Sequence, residues 1–254
     1  MSSLRKTLAV LDLFGPDQLQ IDPETIAERM GLSRATVYRY VKDLCDAGLL
    51  TRVGAGSYGL GPRIIELDWM MRQYDPILSA GRQEIEALSA ETGLAVFVSV
   101  FYDGHIINTW ITDPSSQHQF TFGRGQPLPI FRGAQSKVLV AYQKGRHLLK
   151  LFEDHIAGDP GHPCNHYAWS EFARVAKKIR KDGYCITHDE LNKGLTGIAA
   201  PIVSLEGKEV VGSLSAVGDT ASFKLLRQET VTDMVIETAR RIAANMHAQR
   251  ADGP

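Results

Sequence analysis

Apolar residues at the start of the chain recur at helical spacing until glycine and proline interrupt them. Leu4, Leu8 and Leu11 occupy positions i, i+4 and i+7, which is the spacing of one face of an α-helix. Gly15-Pro16 follows this stretch, and both residue types disfavour a continuing helix. The sequence therefore predicts an amphipathic helix over residues 4–14.

Two further short helices are predicted, each with a capping residue at its start. Asp22 before Pro23 is typical of an N-cap and the first helical residue, and this second helix ends at Gly31. Ser33 is a strong N-cap for a third helix over residues 34–47. The tight turn between these two helices predicts a helix-turn-helix.

The third helix has two different sides. Val37, Val41 and Leu44 repeat at i, i+4 and i+7, so this side is predicted to face the core. The opposite side carries Ala35, Arg39 and Lys42. The side chain on this side is small at the start of the helix, and the side chains further along are basic, which suits an exposed surface.

A hairpin is predicted directly after the helices. Residues 49–53 and 58–60 form two short predicted strands around a glycine-rich turn. The net charge of the chain is −1, so the whole protein has no electrostatic preference for nucleic acid. Residues 33–63 nevertheless hold Arg34, Arg39, Lys42, Arg52 and Arg63 against only Asp43 and Asp46. This local basic excess favours DNA binding over a small helical bundle with solvated charges.

The third helix is predicted to enter the major groove by its N-terminal end, with Arg52 of the hairpin on a flanking phosphate or the minor groove. The candidate DNA-binding residues are Ser33, Arg34, Ala35, Thr36, Tyr38, Arg39, Lys42 and Arg52.

The rest of the chain alternates between strand and helix patterns, and predicts an α+β domain with an antiparallel sheet. Strands are predicted over residues 95–101, 106–111, 119–122, 184–187, 196–202 and 209–216. Helices are predicted over residues 77–92, 134–142, 147–152, 169–182 and 226–246. Asp103-Gly104 predicts a two-residue hairpin turn.

Three segments are expected along the chain. Residues 1–61 form the winged helix-turn-helix, and residues 62–76 form a linker helix that begins after Pro62 and ends at Pro76. Residues 77–254 form the second domain.

Several motifs resemble those of the IclR-type (isocitrate lyase regulator) transcription factors. In the first domain they are Ser33-Arg-Ala-Thr-Val-Tyr-Arg-Tyr-Val-Lys-Asp-Leu44, Gly48-Leu-Leu and Tyr58-Gly-Leu-Gly-Pro-Arg63. In the second they are Gly183-Tyr-Cys, Glu190, Gly194, Ile198-Ala-Ala-Pro-Ile202 and Leu214-Ser-Ala-Val-Gly218. The chain departs from the family at Ser136-Lys137, where a Gly-Lys pair is usual.

The resemblance implies a GAF/PAS-like second domain that binds a small effector. By alignment with the family, Ala134, Gln135, Gly197 and Ser215 fall at ligand-lining positions, and Ser213 lies one step along the same strand face. Trp110, Phe120 and Phe122 are added as candidate effector-binding residues, with Phe131 nearby in sequence. Aromatic residues around such a site favour an aromatic carboxylate, such as a hydroxybenzoate, over a two- or three-carbon acid.

The predicted function is that of a transcriptional regulator in the cytoplasm. It binds palindromic operator DNA as a homodimer or homotetramer, because one recognition helix contacts too little DNA to specify a site. We expect a small organic acid to control this binding, and we expect no cofactor, no membrane association and no enzyme activity. Two alternatives stay open: a ligand-independent DNA-binding protein whose second domain only oligomerises, and an enzyme with a DNA-binding appendage.

Composition and candidate metal ligands change this picture little. The chain has 254 residues, of which 44% are hydrophobic and 22% charged, which is typical of a globular protein and excludes a fibrous repeat. The three scattered cysteines suit a reducing compartment. His155, His162, Cys164 and His166 include zinc-ligand types, but they lack the paired spacing of a structural zinc site. We expect a surface loop there.

Overall fold

A computed structural model describes residues 2–54, 56–114, 120–157, 168–204 and 209–251. The chain divides into two compact units, Met1–Asp75 and Pro76–Pro254. Within the described residues, no helix is long and apolar enough to cross a membrane.

The first unit is a helix-turn-helix with a hairpin and a following helix. Its elements are α1 (Ser3–Leu8), a 3-10 turn (Leu11–Leu13), α2 (Pro23–Met30), α3 (Arg34–Asp46), β1 (Leu50–Val53), β2 (Ser57–Leu60) and α4 (Arg63–Tyr74). Strands β1 and β2 pair antiparallel, with Leu50 opposite Leu60. The predicted winged helix-turn-helix is confirmed.

The first helix is shorter than predicted, and its predicted inward face is wrong. Leu4 is 69% exposed and Leu8 is 44% exposed, whereas Thr7 and Val10 are buried. The N–H groups of Asp12, Leu13 and Phe14 donate to carbonyls three residues earlier. These tighter hydrogen bonds end the α-helical spacing before Leu11, and within α1 itself the buried side chain is that of Thr7.

Helices α2 and α3 have the predicted caps and core. The Asp22 carboxylate accepts the Thr25 N–H at 2.8 Å, and this hydrogen bond holds the pKa of Asp22 below its ordinary value. Gly31 ends α2 with a φ of 63°, a left-handed conformation that glycine adopts without strain. Val37, Val41 and Leu44 are all buried, as their spacing predicts.

The second unit is an antiparallel sheet with helices on both faces. Its helices are α5 (Pro76–Thr92), α6 (Ala134–Ala141), α7 (Gly145–Phe152), α8 (Trp169–Asp182), α9 (Thr220–Leu226) and α10 (Gln228–Ala251), with a π-helical turn at Glu153–Ala157. Its strands are β3 (Ala95–Tyr102), β4 (His105–Thr112), β5 (Pro127–Leu128), β6 (Cys185–His188), β7 (Leu195–Val203) and β8 (Val210–Asp219). The described strands pair in the order β5-β4-β3-β8-β7-β6. The predicted α+β domain is confirmed.

Alternating side chains supply the two faces of the sheet with separate cores. Ile198 and Ala200 of β7 belong to the cluster that includes α5, α9 and α10. Ala199, between them, belongs to the cluster that includes α6, α7 and α8. Because successive strand residues point to opposite faces, each strand serves both layers.

Among the described residues of this unit, one predicted strand is absent and one helix was not predicted. Phe120 to Phe122 is not a strand, and Gln119 lies outside the described residues. The Asn108 side chain donates to the Phe122 carbonyl at 3.0 Å, so this segment is held by a side chain instead of by a strand ladder. The final helix is present as α10, but the short helix α9 before it was not predicted; the two meet at Arg227, whose φ is 62°.

Candidate functional site

The N-terminal end of α3 presents an exposed polar surface. Of the candidate residues, Ser33, Arg34, Ala35, Tyr38, Arg39, Lys42 and Arg52 are exposed, and Thr36 is half-buried. The first unit therefore brings the predicted DNA-binding residues of α3 to one outward side, opposite the buried Val37 and Val41.

Ser33 organises the start of α3. Its hydroxyl accepts the Thr36 N–H at 3.3 Å and lies 2.9 Å from the Thr36 hydroxyl. The N–H groups of Arg34 and Ala35 have no acceptor within the helix, as in the first turn of any α-helix. These two donors and the helix dipole make this end suited to a phosphate.

The basic side chains of this surface are loosely held. Arg34 lies 3.7 Å from Glu24, and both side chains are largely exposed, so this ion pair contributes little to stability. The Arg39 guanidinium lies 5.5 Å from the centre of the Tyr40 ring. Exposed cations of this kind can turn toward a polyanion without breaking the core.

The hairpin that carries Arg52 is fixed to the segment before α2. Arg52 lies opposite Tyr58 in the β1–β2 pair. The backbone of Tyr58 forms two hydrogen bonds with that of Ile21, at 2.9 and 2.8 Å. These bonds tie the wing to the helix-turn-helix, so Arg52 has a defined place in this unit.

The second unit contains a pocket between the sheet and the start of α6. Four predicted effector-binding residues line it, namely Phe120, Phe122, Gln135 and Gly197. The other lining residues are Phe97, Asn108, Leu128, Gly133, Thr187, Glu190, Leu191, Asn192, Leu195, Thr196 and Val217. The empty space among them is about 430 Å³, including the open mouth.

Three more predicted residues lie next to this pocket but not on its surface. A Cβ atom placed on Gly197 would lie 3.8 Å from the Ala134 Cβ, so the two residues are neighbours. Ser213 and Ser215 share a face of β8 with Val217 and lie opposite Ser99 and Phe97 of β3. Both serine hydroxyls are buried and lack a hydrogen-bond partner among the described residues.

Trp110 lies on the other face of the sheet, so its prediction as a pocket residue is not supported. The register of β3 and β4 shifts between Val98 and Ser99, so Val98 pairs with Trp110 but Ser99 pairs with Asn108. This bulge reverses the alternation that would have placed Asn108 and Trp110 on one face. Trp110 instead packs with the α5 and α10 core.

Phe131 belongs to a hydrophobic core and does not line the pocket. Its ring meets those of Phe172 and Phe152 edge-on, with centres 4.8 and 6.3 Å away. Ordinary packing therefore accounts for this residue.

The sequence reasoning missed the aromatic and polar back wall of the pocket. Phe97 meets Phe120 edge-on at 5.0 Å between ring centres. The Ser99 hydroxyl donates to the Asn108 side-chain carbonyl at 2.7 Å, which leaves the amide nitrogen for the Phe122 carbonyl. Strand alternation on β3 could have identified Phe97, since it precedes Ser99 by two residues.

The start of α6 is buried at the pocket. Gly133 is its N-cap residue, with a φ of 86°, and it has no side chain with which to cap the helix. The first helical residues, Ala134, Gln135 and Ser136, are buried, and their N–H groups have no acceptor within the helix. A buried helix start of this kind favours an anionic group.

A carboxylate from a distant loop lies at this helix start. Glu190 accepts the Gly133 N–H at 2.9 Å, and its other oxygen forms an ion pair with Lys137. Arg132 donates to the Glu190 backbone carbonyl. The loop between β6 and β7 is thus fastened to the start of α6.

The described residues contain one buried thiol with a raised pKa and no group of side chains suited to a metal ion. Burial raises the pKa of the Cys185 thiol to about 11, so the unreactive thiol form predominates near neutral pH. No group of three His, Cys, Asp or Glu side chains within the described ranges could hold a metal ion. His162, Cys164 and His166 of the candidate cluster lie outside those ranges.

Comparison with known proteins adds family information to both units. Residues 3–54 match the IclR helix-turn-helix domain, and residues 73–244 match the bacterial transcriptional regulator IclR C-terminal domain. The Pca operon regulatory protein of Acinetobacter baylyi is 24% identical over 256 residues, covering 95% of this chain and 88% of that protein.

Solved structures share the fold at low sequence identity. An IclR family transcriptional regulator from Brucella abortus superimposes with a TM-score of 0.80 at 19% identity, covering 96% of this chain and 92% of that one. An IclR homologue from Microbacterium hydrocarbonoxydans, complexed with 4-hydroxybenzoate, gives a TM-score of 0.71 at 20% identity, with 97% and 100% of the two chains covered. The chain belongs to the IclR family of DNA-binding transcriptional regulators.

Proposed function

We propose that this protein is a regulator that binds palindromic operator DNA as a dimer, or as a pair of dimers, and that an aromatic carboxylic acid controls this binding. Its second domain is the sensor, and its place of action is the cytoplasm. The helix α4 is the linker between the two functions.

In this proposal α3 enters the major groove by its N-terminal end. The free N–H groups of Arg34 and Ala35, with Ser33 and Thr36 beside them, contact backbone phosphate. Tyr38, Arg39 and Lys42 lie further along the exposed side, where Arg39 is the candidate for a base edge. Arg52 of the wing contacts a flanking phosphate.

The observation that carries the sensor role is the buried start of α6 opening into an aromatic pocket. The N–H group of Gln135, which lines the pocket, would receive the ligand carboxylate together with that of its neighbour Ala134. Phe97, Phe120 and Phe122 offer ring faces and edges to an aromatic ring. The 4-hydroxybenzoate bound to the Microbacterium homologue supports an acid of this class.

Self-association is supported by the surface of α4. None of its residues is buried, and Ile65 and Trp69, one turn apart, are 73% and 63% exposed. Two ion pairs within the helix, Arg63 with Glu66 and Arg72 with Asp68, compensate its charges. Large apolar side chains exposed side by side on one helix favour a protein partner, and a second copy would align two α3 helices with a palindrome.

A thermal-shift screen of the full chain against benzoate, 4-hydroxybenzoate, pyruvate and glyoxylate tests the proposed ligand class. At a ligand concentration about 100 times the dissociation constant, binding stabilises the native state by about 2.7 kcal/mol. A shift with the aromatic acids supports the proposal. A shift only with pyruvate or glyoxylate overturns the aromatic class, and no shift with any acid favours a second domain that only oligomerises.

A further inference from the structure

The Glu190 carboxylate poses a problem for any anionic ligand. It is the charged side chain among the pocket-lining residues, and it already accepts a hydrogen bond from Gly133 at the start of α6. A ligand carboxylate on the neighbouring N–H groups would lie close to a second carboxylate. Lys137 pairs with only one oxygen of Glu190, so a ligand carboxylate beside the other oxygen, the one on Gly133, is still repelled as a like charge in a partly buried site.

We infer that Glu190 is an internal competitor for the carboxylate position at the start of α6, and that ligand binding displaces it together with the β6–β7 loop. This inference rests on the proposed function, because it concerns the same pocket. It makes Glu190 a specificity-determining residue that sets how tightly the pocket binds an anion.

The loop that would move is a defined unit. The Asp189 N–H donates to the Leu195 carbonyl at 2.9 Å, and the Asp189 side chain accepts the Gly194 N–H. The loop therefore closes on itself between two strand ends. It is attached elsewhere by Glu190, by a hydrogen bond of 2.6 Å from the Asn192 amide to the Thr121 hydroxyl, and at its far end by the Gly194 carbonyl, which accepts the N–H and the hydroxyl of Thr220 at 3.2 and 3.3 Å.

Displacement of Glu190 would also uncover the start of α6. A Cβ atom on Gly133 would lie only 2.5 Å from the Leu191 Cδ1, so the Leu191 side chain occupies the space that the glycine leaves. Leu191 adjoins Glu190 in sequence and must move with it. The pocket mouth and the three buried N–H groups would become accessible in one step.

Two buried hydroxyl groups near the start of α6 are consistent with displacement of Glu190 by a ligand. Ser136 is fully buried in the first turn of the helix, and its hydroxyl lacks a partner among the described residues, as does that of Ser215. Buried hydroxyls without partners are costly. A ligand oxygen that reached these two hydroxyls would supply the acceptor that each of them lacks.

The test compares wild type, Glu190→Gln and Glu86→Gln by calorimetric titration with 4-hydroxybenzoate and benzoate. Glutamine keeps the size and the acceptor oxygen of Glu190 but removes the charge. Glu86→Gln removes the same charge from an exposed position on α5. Competition predicts that Glu190→Gln binds these acids at least about tenfold more tightly, a change of about 1.4 kcal/mol, whereas Glu86→Gln binds as wild type does.

Hydrogen exchange distinguishes displacement of Glu190 by the ligand from a purely structural role of Glu190 in holding the β6–β7 loop. Displacement predicts that 4-hydroxybenzoate speeds amide exchange over residues 189–195 in wild type, and that the increase is smaller in Glu190→Gln. Unchanged or weaker binding by Glu190→Gln, or slower exchange over residues 189–195 with ligand, overturns the inference alone. Absence of binding to wild type and to both variants overturns the proposed ligand class, and the inference with it.

Discussion

Two helix starts, those of α3 and α6, solve the same problem in different ways. Each has N–H groups that find no hydrogen-bond acceptor within the helix itself. At α3 the cap is Ser33, one residue away, and the surroundings are solvent. At α6 the N-cap is a glycine, the surroundings are buried, and Glu190, 57 residues away, accepts the N–H of that glycine.

The difference explains the two proposed ligands. An exposed, self-capped helix start with loosely held cations beside it suits a large polyanion that approaches from outside. A buried helix start with a removable carboxylate suits one small anion that enters a pocket. The first surface can bind without rearrangement, whereas in our inference a ligand at the second must displace Glu190 from the Gly133 N–H.

The largest expected effect is a block of the pocket at Gly197. A Cβ atom there meets only ordinary contacts, of 3.7 Å or more, so the fold should accept Gly197→Leu while its longer side chain fills the pocket. We expect at least about a 100-fold loss of affinity for 4-hydroxybenzoate, equivalent to about 2.7 kcal/mol, measured by calorimetry.

Gly197→Ala is the matched control, because a methyl group alone should leave most of the space open. Operator binding without ligand should be the same in both variants. Full ligand affinity in Gly197→Leu would place the ligand elsewhere.

The next effect concerns Arg39 on α3. Arg39→Ala should weaken binding to the specific operator by about 1–3 kcal/mol, because the side chain is expected to reach a base edge. Fluorescence anisotropy with operator and with random DNA measures this. Arg146→Ala, at an exposed position of α7, controls for the lost charge. An equal loss on random DNA would make Arg39 a phosphate contact.

A smaller effect separates the capping role of Ser33 from its role at DNA. Ser33→Ala should destabilise the first unit by about 1 kcal/mol, because the Thr36 N–H loses its acceptor. Ser33→Asp should keep the cap and hence the stability, but its charge should repel phosphate. Chemical denaturation and anisotropy test the two variants together. Equal DNA binding by Ser33→Asp and wild type would remove Ser33 from the interface.

The smallest expected effect is a difference in alkylation rate between two thiols, one from each unit. Cys45 is half-buried and Cys185 is buried, so iodoacetamide at pH 8 should modify Cys45 in the native protein at least about tenfold faster. Peptide mass spectrometry identifies the modified residue. Faster modification of Cys185 would show that the sheet opens around β6.

The burial of Cys185 also makes the free energy of unfolding decrease at alkaline pH. Since the pKa of Cys185 is raised from 9.0 to about 11 in the native state, its neutral form is favoured by folding. That contribution is complete below pH 9 and is lost as the pH rises toward 11. Denaturation of Cys185→Ser should show a weaker loss over this interval.

The same comparison of α3 with α6 explains what sequence alone could predict. The start and the buried side of α3 follow from Ser33 and from the spacing of Val37 and Val41, which are local signals. The start of α6 at Ala134 was also predicted, but the contact of this helix start with Glu190 was not, because no local pattern connects the two. Trp110 failed for a related reason, since a bulge in β4 changes the side-chain alternation without marking the sequence clearly.

Only some of the pocket residues were predicted from the sequence, because local patterns do not reveal contacts between residues far apart in the chain. Gln135 and Gly197 follow from family positions, and Phe120 and Phe122 from their aromatic character. The β6–β7 loop that covers the pocket depends on contacts between residues far apart in the chain, such as Asn192 with Thr121. Periodicity within a strand or helix carries no information about such contacts.

The most direct test of the account is whether an aromatic acid changes operator affinity. Operator DNA selected by the full-length protein from a random pool would be titrated with the protein, with and without saturating 4-hydroxybenzoate, in wild type and Gly197→Leu. A coupled sensor predicts a change of about 5- to 150-fold in wild type and none in Gly197→Leu. Equal affinity with and without the acid in wild type, despite proven binding of the acid, would contradict control of DNA binding by this pocket.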